Sequence, residues 1–310
     1  LLPFALVNGT VPHGYTWAFQ PSIFQSAAYR ALQVGEWLSF YWVHTEKKKV
    51  YGCVHFCVAN SAAMSPLAAP YGGFEWANRL GSEPLFRFMV QTEEQLRKAG
   101  VTQISITCPP DYLFQHAALQ HVFLANLGYA LVRAEAGACL AVTKSRLLNS
   151  MHSWERRKLK QAQRHSIRVK RLDIAQATQV YAFIANCRAR KNYPLSLDAH
   201  RMQQTVTALP GAFEFFVAIS RGRWVAAAIS IRVTGNVLYN FYVDHDPEFD
   251  RVSPVVLLTD GIYRWCKRNN FACIDLGTSS LPAQPNFSLL DFKLHLGGRV
   301  TDKFTFEKKL

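Results

Sequence analysis

The chain has 310 residues, of which 49% are hydrophobic and 18% charged, the balance of a folded globular protein large enough for about two domains. No apolar run reaches the roughly 18–20 residues of a membrane-spanning helix, which excludes a helical membrane span. The net charge is +14 and unevenly placed: residues 1–149 hold 11 Lys and Arg against 8 Asp and Glu, and residues 150–310 hold 24 against 13. A phosphate-bearing partner of the second half would account for that excess, and solubility alone would also account for it.

Seven cysteines, at 53, 57, 108, 139, 187, 266 and 273, are odd in number and mostly set in apolar runs. They are expected to be buried free thiols in a reducing compartment, which points to the cytoplasm. Cys53 and Cys57 have the spacing C-x3-C without a matching second pair, so no metal is expected. The opening Leu1-Leu-Pro-Phe-Ala-Leu-Val lacks a basic flank and is short, so it is not read as a signal peptide; the absence of a starting Met leaves room for a piece upstream.

In chain order, a helix is expected over 23–34, then strands over 36–44 and 50–60 joined by the polar turn Thr45-Glu-Lys-Lys-Lys49. Residues 64–74 form a loop rich in Pro and Gly. A helix over 83–100 ends at a glycine. A strand over 103–108, a helix over 112–127 and a strand over 129–143 follow. Residues 151–165 are charged and helical, with Trp154, Leu159 and Ala162 toward the protein and Arg156, Arg157, Lys160 and Arg164 on a basic face. Next come a strand (167–172), two helices (174–192 and 197–209) and three strands (213–220, 224–233 and 236–243) turning at Arg221-Gly222-Arg223 and Thr234-Gly235. Residues 253–269 are helical, 273–276 a strand and 299–306 a closing strand. The two halves share this coarse order, which suggests two similar domains, 1–148 and 149–310.

Several residues invite chemistry, and each has a plainer reading. Ser253 and Pro254 suit the N-cap and first position of a helix. The backbone there, at Val255 and Val256, would present free N–H groups and a positive dipole end to a phosphate, with Arg251 adding charge; a well-capped structural helix is the other reading. Lys293, in the apolar run 289–296, must be paired or face a cleft. Its plainer reading is a salt bridge with Asp291 or Asp275. Asp275 ends a strand and either accepts an amine's proton or bonds the following loop. Tyr239 and Tyr242 lie on opposite faces of their strand, so only one can face the cleft; Tyr242, which precedes the acidic loop, is favoured, and core packing is its plainer reading. Tyr71, Gly72 and Gly73 would let backbone approach a ligand at a groove between the domains, or form a tight turn. Arg188 and Tyr193, with Arg190 and Lys191, end a helix and either line that groove or are solvated. The acids Asp244, Asp246, Glu248 and Asp250 fail the calcium-loop template, since Phe249 and Val255 occupy the positions of its Gly and Glu. No catalytic-serine elbow, zinc helix, phosphate loop or dinucleotide fingerprint is present.

Taken in order, the basic helix 154–164 running into Ile167-Arg-Val-Lys, the strand Tyr239 to Asp244, Ser253-Pro254, Ile274-Asp275-Leu276-Gly277, and Phe292-Lys293 before Gly297-Gly298 resemble the second domain of GNAT-superfamily acyltransferases of the tandem, FemABX-like type. The first half is more loosely similar through Ser65-Pro66 and Pro70-Tyr71-Gly72-Gly73. The resemblance implies two GNAT-like α/β (α+β) domains with mixed, mostly antiparallel sheets flanked by helices. It implies transfer of an acyl group to an amine by direct attack, the second domain holding the donor. Lys293 matches the lysine of the Fem-type Phe-Lys motif, where it would stabilise an oxyanion or orient a phosphate. The donor would be acetyl-CoA or another acyl-CoA, with aminoacyl-tRNA the alternative. The stretch 249–256 lacks the glycines of the usual CoA loop, so the choice stays open. If tRNA is the donor, the basic helix is its contact. The acceptor would be a small molecule, a cell-envelope precursor or an amino sugar. A catalytically silent module binding an anionic ligand is the remaining alternative.

Overall fold

The computed structural model describes residues 3–114, 116–281 and 284–310. Gln115, inside the helix expected over 112–127, lies outside the described residues. The chain divides into two compact units, residues 1–136 with 301–310, and residues 137–300.

The first unit contains β1 (Phe4–Asn8), β2 (Thr16–Trp17), α1 (Ala27–Ala31), β3 (Glu36–His44), β4 (Lys49–Ala59), β5 (Ala62–Ser65), β6 (Glu75–Trp76), α2 (Ser82–Lys98), β7 (Gln103–Thr107), α3 (Ala118–Asn126) and most of β8 (Ala130–Ala141). Strands β1, β3, β4 and β5 are antiparallel neighbours, and β5 pairs parallel with β7. Alternation along β3 and β4 sends Phe40, Trp42, Val54 and Phe56 into a core with Leu85, Phe88, Met89 and Leu96 of α2. Tyr41, Val43, Val50 and Cys53 join a second cluster with Val7, Tyr15 and Phe19. The helix expected over 23–34 is interrupted: Ser26 is extended and its hydroxyl accepts from Tyr29 N at 3.1 Å, capping α1 and ending the short 3-10 turn before it. The helix expected from residue 112 starts at Ala118, because His116 takes a left-handed conformation (φ +64°).

The second unit begins with the end of β8 and continues with α4 (Ser153–Arg164), β9 (Arg168–Leu172), α5 (Ala177–Ala189), α6 (Ala199–Ala208), β10 (Phe213–Ser220), β11 (Arg223–Thr234), β12 (Val237–His245), α7 (Pro254–Arg268), β13 (Cys273–Thr278) and α8 (Phe287–His295). β14 (Arg299–Lys309) follows, and most of it belongs to the first unit, where it pairs with β7. The order is β9-β10-β11-β12-β13-β8, antiparallel except for β12 with β13. This is a mixed, mostly antiparallel sheet flanked by helices. α7 packs Val256, Leu258, Ile262 and Cys266 against Phe216, Ala226, Ala228, Leu238 and Ile274. Gly261 makes that approach close, since a Cβ there would lie 2.5 Å from Val169. In α4, Glu155, Leu159 and Ala162 are buried at helical spacing. Trp154, expected inside, is 55% exposed. It lies one residue out of phase with that stripe and meets the rings of His152 and His295 edge-on.

The first unit also buries a polar cluster. Glu75 is fully buried, its carboxylate accepting from Ser22 N at 2.7 Å and Ser22 Oγ at 2.5 Å. Burial pushes its pKa up to about 7, and the Ser22 bonds pull only partly against that. A raised carboxyl pKa stabilises the fold fully below the unfolded value near 4.5, and that contribution is lost as pH rises through 7. Glu75→Gln keeps a donor for Ser22 Oγ and an acceptor for Ser22 N, so it copies the protonated state. Denaturant unfolding is expected to show the variant gaining about 3 kcal/mol on the native chain between pH 4.5 and well above pH 7. A difference that does not change with pH contradicts this account.

Candidate active site

The parallel ladder between β12 and β13 is three pairs long: Val237 with Cys273, Leu238 with Ile274, and Tyr239 with Asp275. Beyond it each strand keeps its other neighbour. β12 stays on β11 as far as His245 opposite Ala226. β13 stays on β8 as far as Thr278 opposite Gly137, with an irregularity after Asp275. Residues 240–245 and 276–278 therefore leave their common ladder, and the two strands splay. Backbone donors and acceptors along such a split can pair with an extended, amide-bearing ligand.

The closed end of the split is held by Asp275, Gly277 and Lys293. Lys293, on α8, is 7% exposed. Its Nζ donates to Gly277 O at 2.9 Å and Thr278 O at 2.7 Å, using two of the three ammonium hydrogens. Burial lowers its pKa to about 8, and the charge of Asp275 acts in the opposite direction. Asp275 Oδ1 accepts from Gly277 N at 2.7 Å. One side chain thus takes the amide and the other the carbonyl of the same residue. Gly277 has φ +72°, which favours glycine, and a Cβ on it would meet the Tyr239 ring at 3.4 Å. Lys293 therefore binds carbonyls where the sequence suggested a carboxylate partner. The Gly297-Gly298 pair turns the chain over the end of α8: Gly298 N donates to Lys293 O at 3.1 Å, and a Cβ on Gly298 would lie 2.7 Å from that oxygen.

Tyr242 sits apart from this clamp. Its hydroxyl accepts from Ser196 N and Leu197 N, both at 3.0 Å, and lies 2.6 Å from Ser196 Oγ. It therefore anchors the connection between α5 and α6. A bulge opposite Ile229 and Ser230 leaves Phe241 as the extra residue of β12 and stacks its ring on Tyr242 at 4.0 Å. The ring against Gly277 is that of Tyr239, three residues earlier. Arg188 lies over Tyr242 (5.3 Å) and donates to Pro194 O at 2.9 Å, while Tyr193 is 60% exposed. The acidic run after β12 is absorbed by ion pairs. Lys191 meets Asp244 at 2.6 Å, Arg190 meets Asp246 at 2.8 Å, Arg223 meets Asp246 at 2.6 Å and Glu248 at 3.0 Å, and His245 meets Asp250 at 2.5 Å.

The start of α7 follows a 3-10 turn, Pro247–Val252. Ser253 occupies the N-cap position in a left-handed conformation (φ +48°), and its side chain makes no cap bond. Pro254 is the first helical residue, Arg251 is exposed, Val255 half-buried and Val256 buried. No side chain caps the first turn, but Val256 N, expected to be free, donates to Ser253 O at 3.1 Å because the left-handed Ser253 turns its carbonyl into a 3-10-type bond. In the first unit, Tyr71, Gly72 and Gly73 are buried. Gly72 N donates to Thr107 O, Gly73 N to Ser65 Oγ (both 2.9 Å), and a Cβ on Gly72 would lie 2.7 Å from Pro66 N. This segment is packed on the Ser65–Pro66 backbone. Among the described residues no group of His, Cys, Asp or Glu could hold a metal ion.

Comparison with known proteins identifies this arrangement of a split parallel pair and a helix start inside a mostly antiparallel sheet. Residues 150–287 match the model of an acetyltransferase (GNAT) domain. A crystal structure of FemX superposes with a TM-score of 0.71 over 94% of this chain and 94% of that one, at 14% identity. L-PGS from Bacillus licheniformis gives 0.55 over 83% and 80% at 10% identity. A tandem GNAT protein from the clavulanic acid biosynthesis pathway gives 0.50 over 88% and 83% at 10% identity. No curated protein matches the chain in sequence. The chain has the FemABX-like, tandem GNAT fold.

Tyr242→Phe removes the acceptor of two backbone amides and is expected to lower unfolding stability by about 1–3 kcal/mol. Unchanged stability, measured by denaturant titration, contradicts the anchoring role.

Proposed function

We propose that the chain is an N-acyltransferase that moves an acyl group from a carrier to an amine at the split between β12 and β13. The observation that carries this reading is the three-pair ladder closed by the Lys293 clamp. The carrier lies along residues 240–245, and its phosphates meet Arg251 and the positive end of α7 at Ser253, Pro254, Val255 and Val256. Pro254 has no N–H and the amides of Ser253 and Val256 donate to Asp250 O and Ser253 O, so the amide of Val255 is the donor. The amine attacks the carbonyl carbon, and the oxygen gains the negative charge. Lys293, an ammonium below about pH 8, stabilises that charge, and Asp275 takes the amine's proton. Collapse of the adduct restores the carbonyl and expels the carrier as a thiolate or an alkoxide, which is then protonated.

An acyl-CoA, acetyl-CoA first, is the donor in this reading. A second reading, aminoacyl-tRNA, is favoured by two observations. The turn before α7 has no glycine, and Arg156, Arg157, Lys160 and Arg164 stand exposed on α4. The acceptor is an amine of a small molecule, such as a cell-envelope precursor or an amino sugar, with Arg188 and Tyr193 among its contacts. We place the reaction in the cytoplasm because all seven cysteines are free and buried. Among the described residues no helix is long and apolar enough to cross a membrane.

Titration of the chain with acetyl-CoA and with aminoacyl-tRNA identifies the donor; binding of neither contradicts the reading and leaves a silent module. Lys293→Met is expected to slow transfer by roughly 10²–10³-fold below pH 8. The ratio of native to variant rates should shrink as pH rises through 8, where the ammonium is lost. A variant as fast as the native chain sinks the role given to Lys293.

A further inference from the structure

A cleft of about 480 Å³ in the second unit lies outside the split and is used by none of the chemistry above. It is lined by Arg164 and His165 at the end of α4, Ser166, Ser220, the turn residues Arg221 and Arg223, and Phe249. That volume falls within the range of about 300–1,000 Å³ found for small-ligand pockets.

The charges in it are not equivalent. Arg223 is neutralised by Asp246 and Glu248, and its guanidinium lies 5.4 Å from the centre of the Phe249 ring. Arg164 and Arg221 have no carboxylate partner among the described residues. The acid next to the lining residue Phe249, Asp250, is held by His245. The cleft therefore offers two uncommitted guanidinium groups, an imidazole and two hydroxyls beside a half-buried aromatic ring. Phosphate recognition by arginine forks next to a stacking surface suits a phosphorylated nucleoside.

The position adds a reason. Phe249 belongs to the Pro247–Val252 turn that leads directly into α7, and Arg223 is bound to Asp246 and Glu248 around the same turn. A molecule whose diphosphate met the α7 start could place a further phosphorylated nucleoside on the outer side of that turn. The β10–β11 hairpin is shaped for this wall: Arg221 has φ +46° and Gly222 φ +80°, so the turn is tight between Ser220 and Arg223.

We propose that this cleft binds the phosphorylated nucleoside of the acyl carrier, with Arg164, His165 and Arg221 on its phosphate and the Phe249–Arg223 pair against its base. The proposal rests on the function proposed above only for the origin of the nucleotide; the binding itself does not depend on transfer. The shared chemistry is a nucleotide phosphate, supplied either by CoA or by the backbone of a tRNA.

The probe is adenosine 3′,5′-bisphosphate, titrated calorimetrically into the whole chain at low salt. The native chain is expected to bind it. Arg164→Gln and Arg221→Gln are each expected to bind it at least about tenfold more weakly, since each loses charge-assisted bonds to phosphate. Arg87→Gln, an exposed position on α2 of the first unit, is expected to bind it as the native chain does. Displacement of the probe by CoA or by tRNA upholds the assignment to a carrier and says which carrier it is. No binding to the native chain, equal binding by the two arginine variants, or a probe that neither carrier displaces overturns the proposal. Loss of transfer in Lys293→Met together with absent probe binding would leave the transfer reading standing and remove the cleft from it.

Discussion

A buried ammonium must be met by acceptors, and in this chain that requirement fixes the end of β13. Lys293 is met by the carbonyls of Gly277 and Thr278, while Asp275 takes the amide of Gly277. Those carbonyls and that amide are consequently turned toward side chains and are not spent on a ladder with β12. The β12–β13 pairing stops at Tyr239 and Asp275 because the polar groups of Gly277 and Thr278 are already committed to side chains. Removing the ammonium would leave two buried carbonyls without a donor, so the clamp and the opening form one device. The depressed Lys293 pKa is a consequence of the same burial.

Charge is organised on a second level. The acids from Asp244 at the end of β12 to Glu248 face the basic end of α5 and the β10–β11 hairpin. Asp244, Asp246 and Glu248 each meet a cation there, and Arg223 is shared between two of them. Arg188, read from the sequence as an acceptor contact, also reaches Asp244 at 3.6 Å. These pairs tie α5 to the strand that forms one lip of the split. They also consume local positive charge. Part of the uncommitted excess of the second half is left on α4 and at the tip of the β10–β11 hairpin, where it is exposed.

Much of the fold was legible in the sequence because its signals are local. Strand alternation at Phe40, Trp42, Val54 and Phe56, the Asp198 cap on α6 and the glycine ending α2 depend on neighbours within a few residues. The order of strand, helix start, strand and Phe-Lys was enough to suggest the acyltransferase-type fold. The errors came where a single residue changes the phase. Ser26 breaks one helix, His116 delays another, and Trp154 stands one position off the buried stripe of α4. The bulge at Phe241 is the sharpest case. Alternation allowed only one of the two tyrosines in the cleft and the acidic loop favoured Tyr242, whereas its hydroxyl is occupied by Ser196 and Leu197, and Tyr239 is the ring against Gly277. Lys293 was recognisable as a lysine that needed a partner, but its partners are backbone carbonyls 15 and 16 residues away, which no spacing rule names.

The central claim is that the acyl carrier occupies the split between β12 and β13, with its phosphates at the start of α7. Amide hydrogen exchange with and without saturating donor tests this directly, because a carrier seated there must cover the edge of β12 that has left its ladder with β13 and the start of α7. The account predicts slower exchange across residues 240–245 and 255–257, with little change in β3 and β4 of the first unit. Donor binding that leaves 240–245 and 255–257 exchanging as before would contradict it.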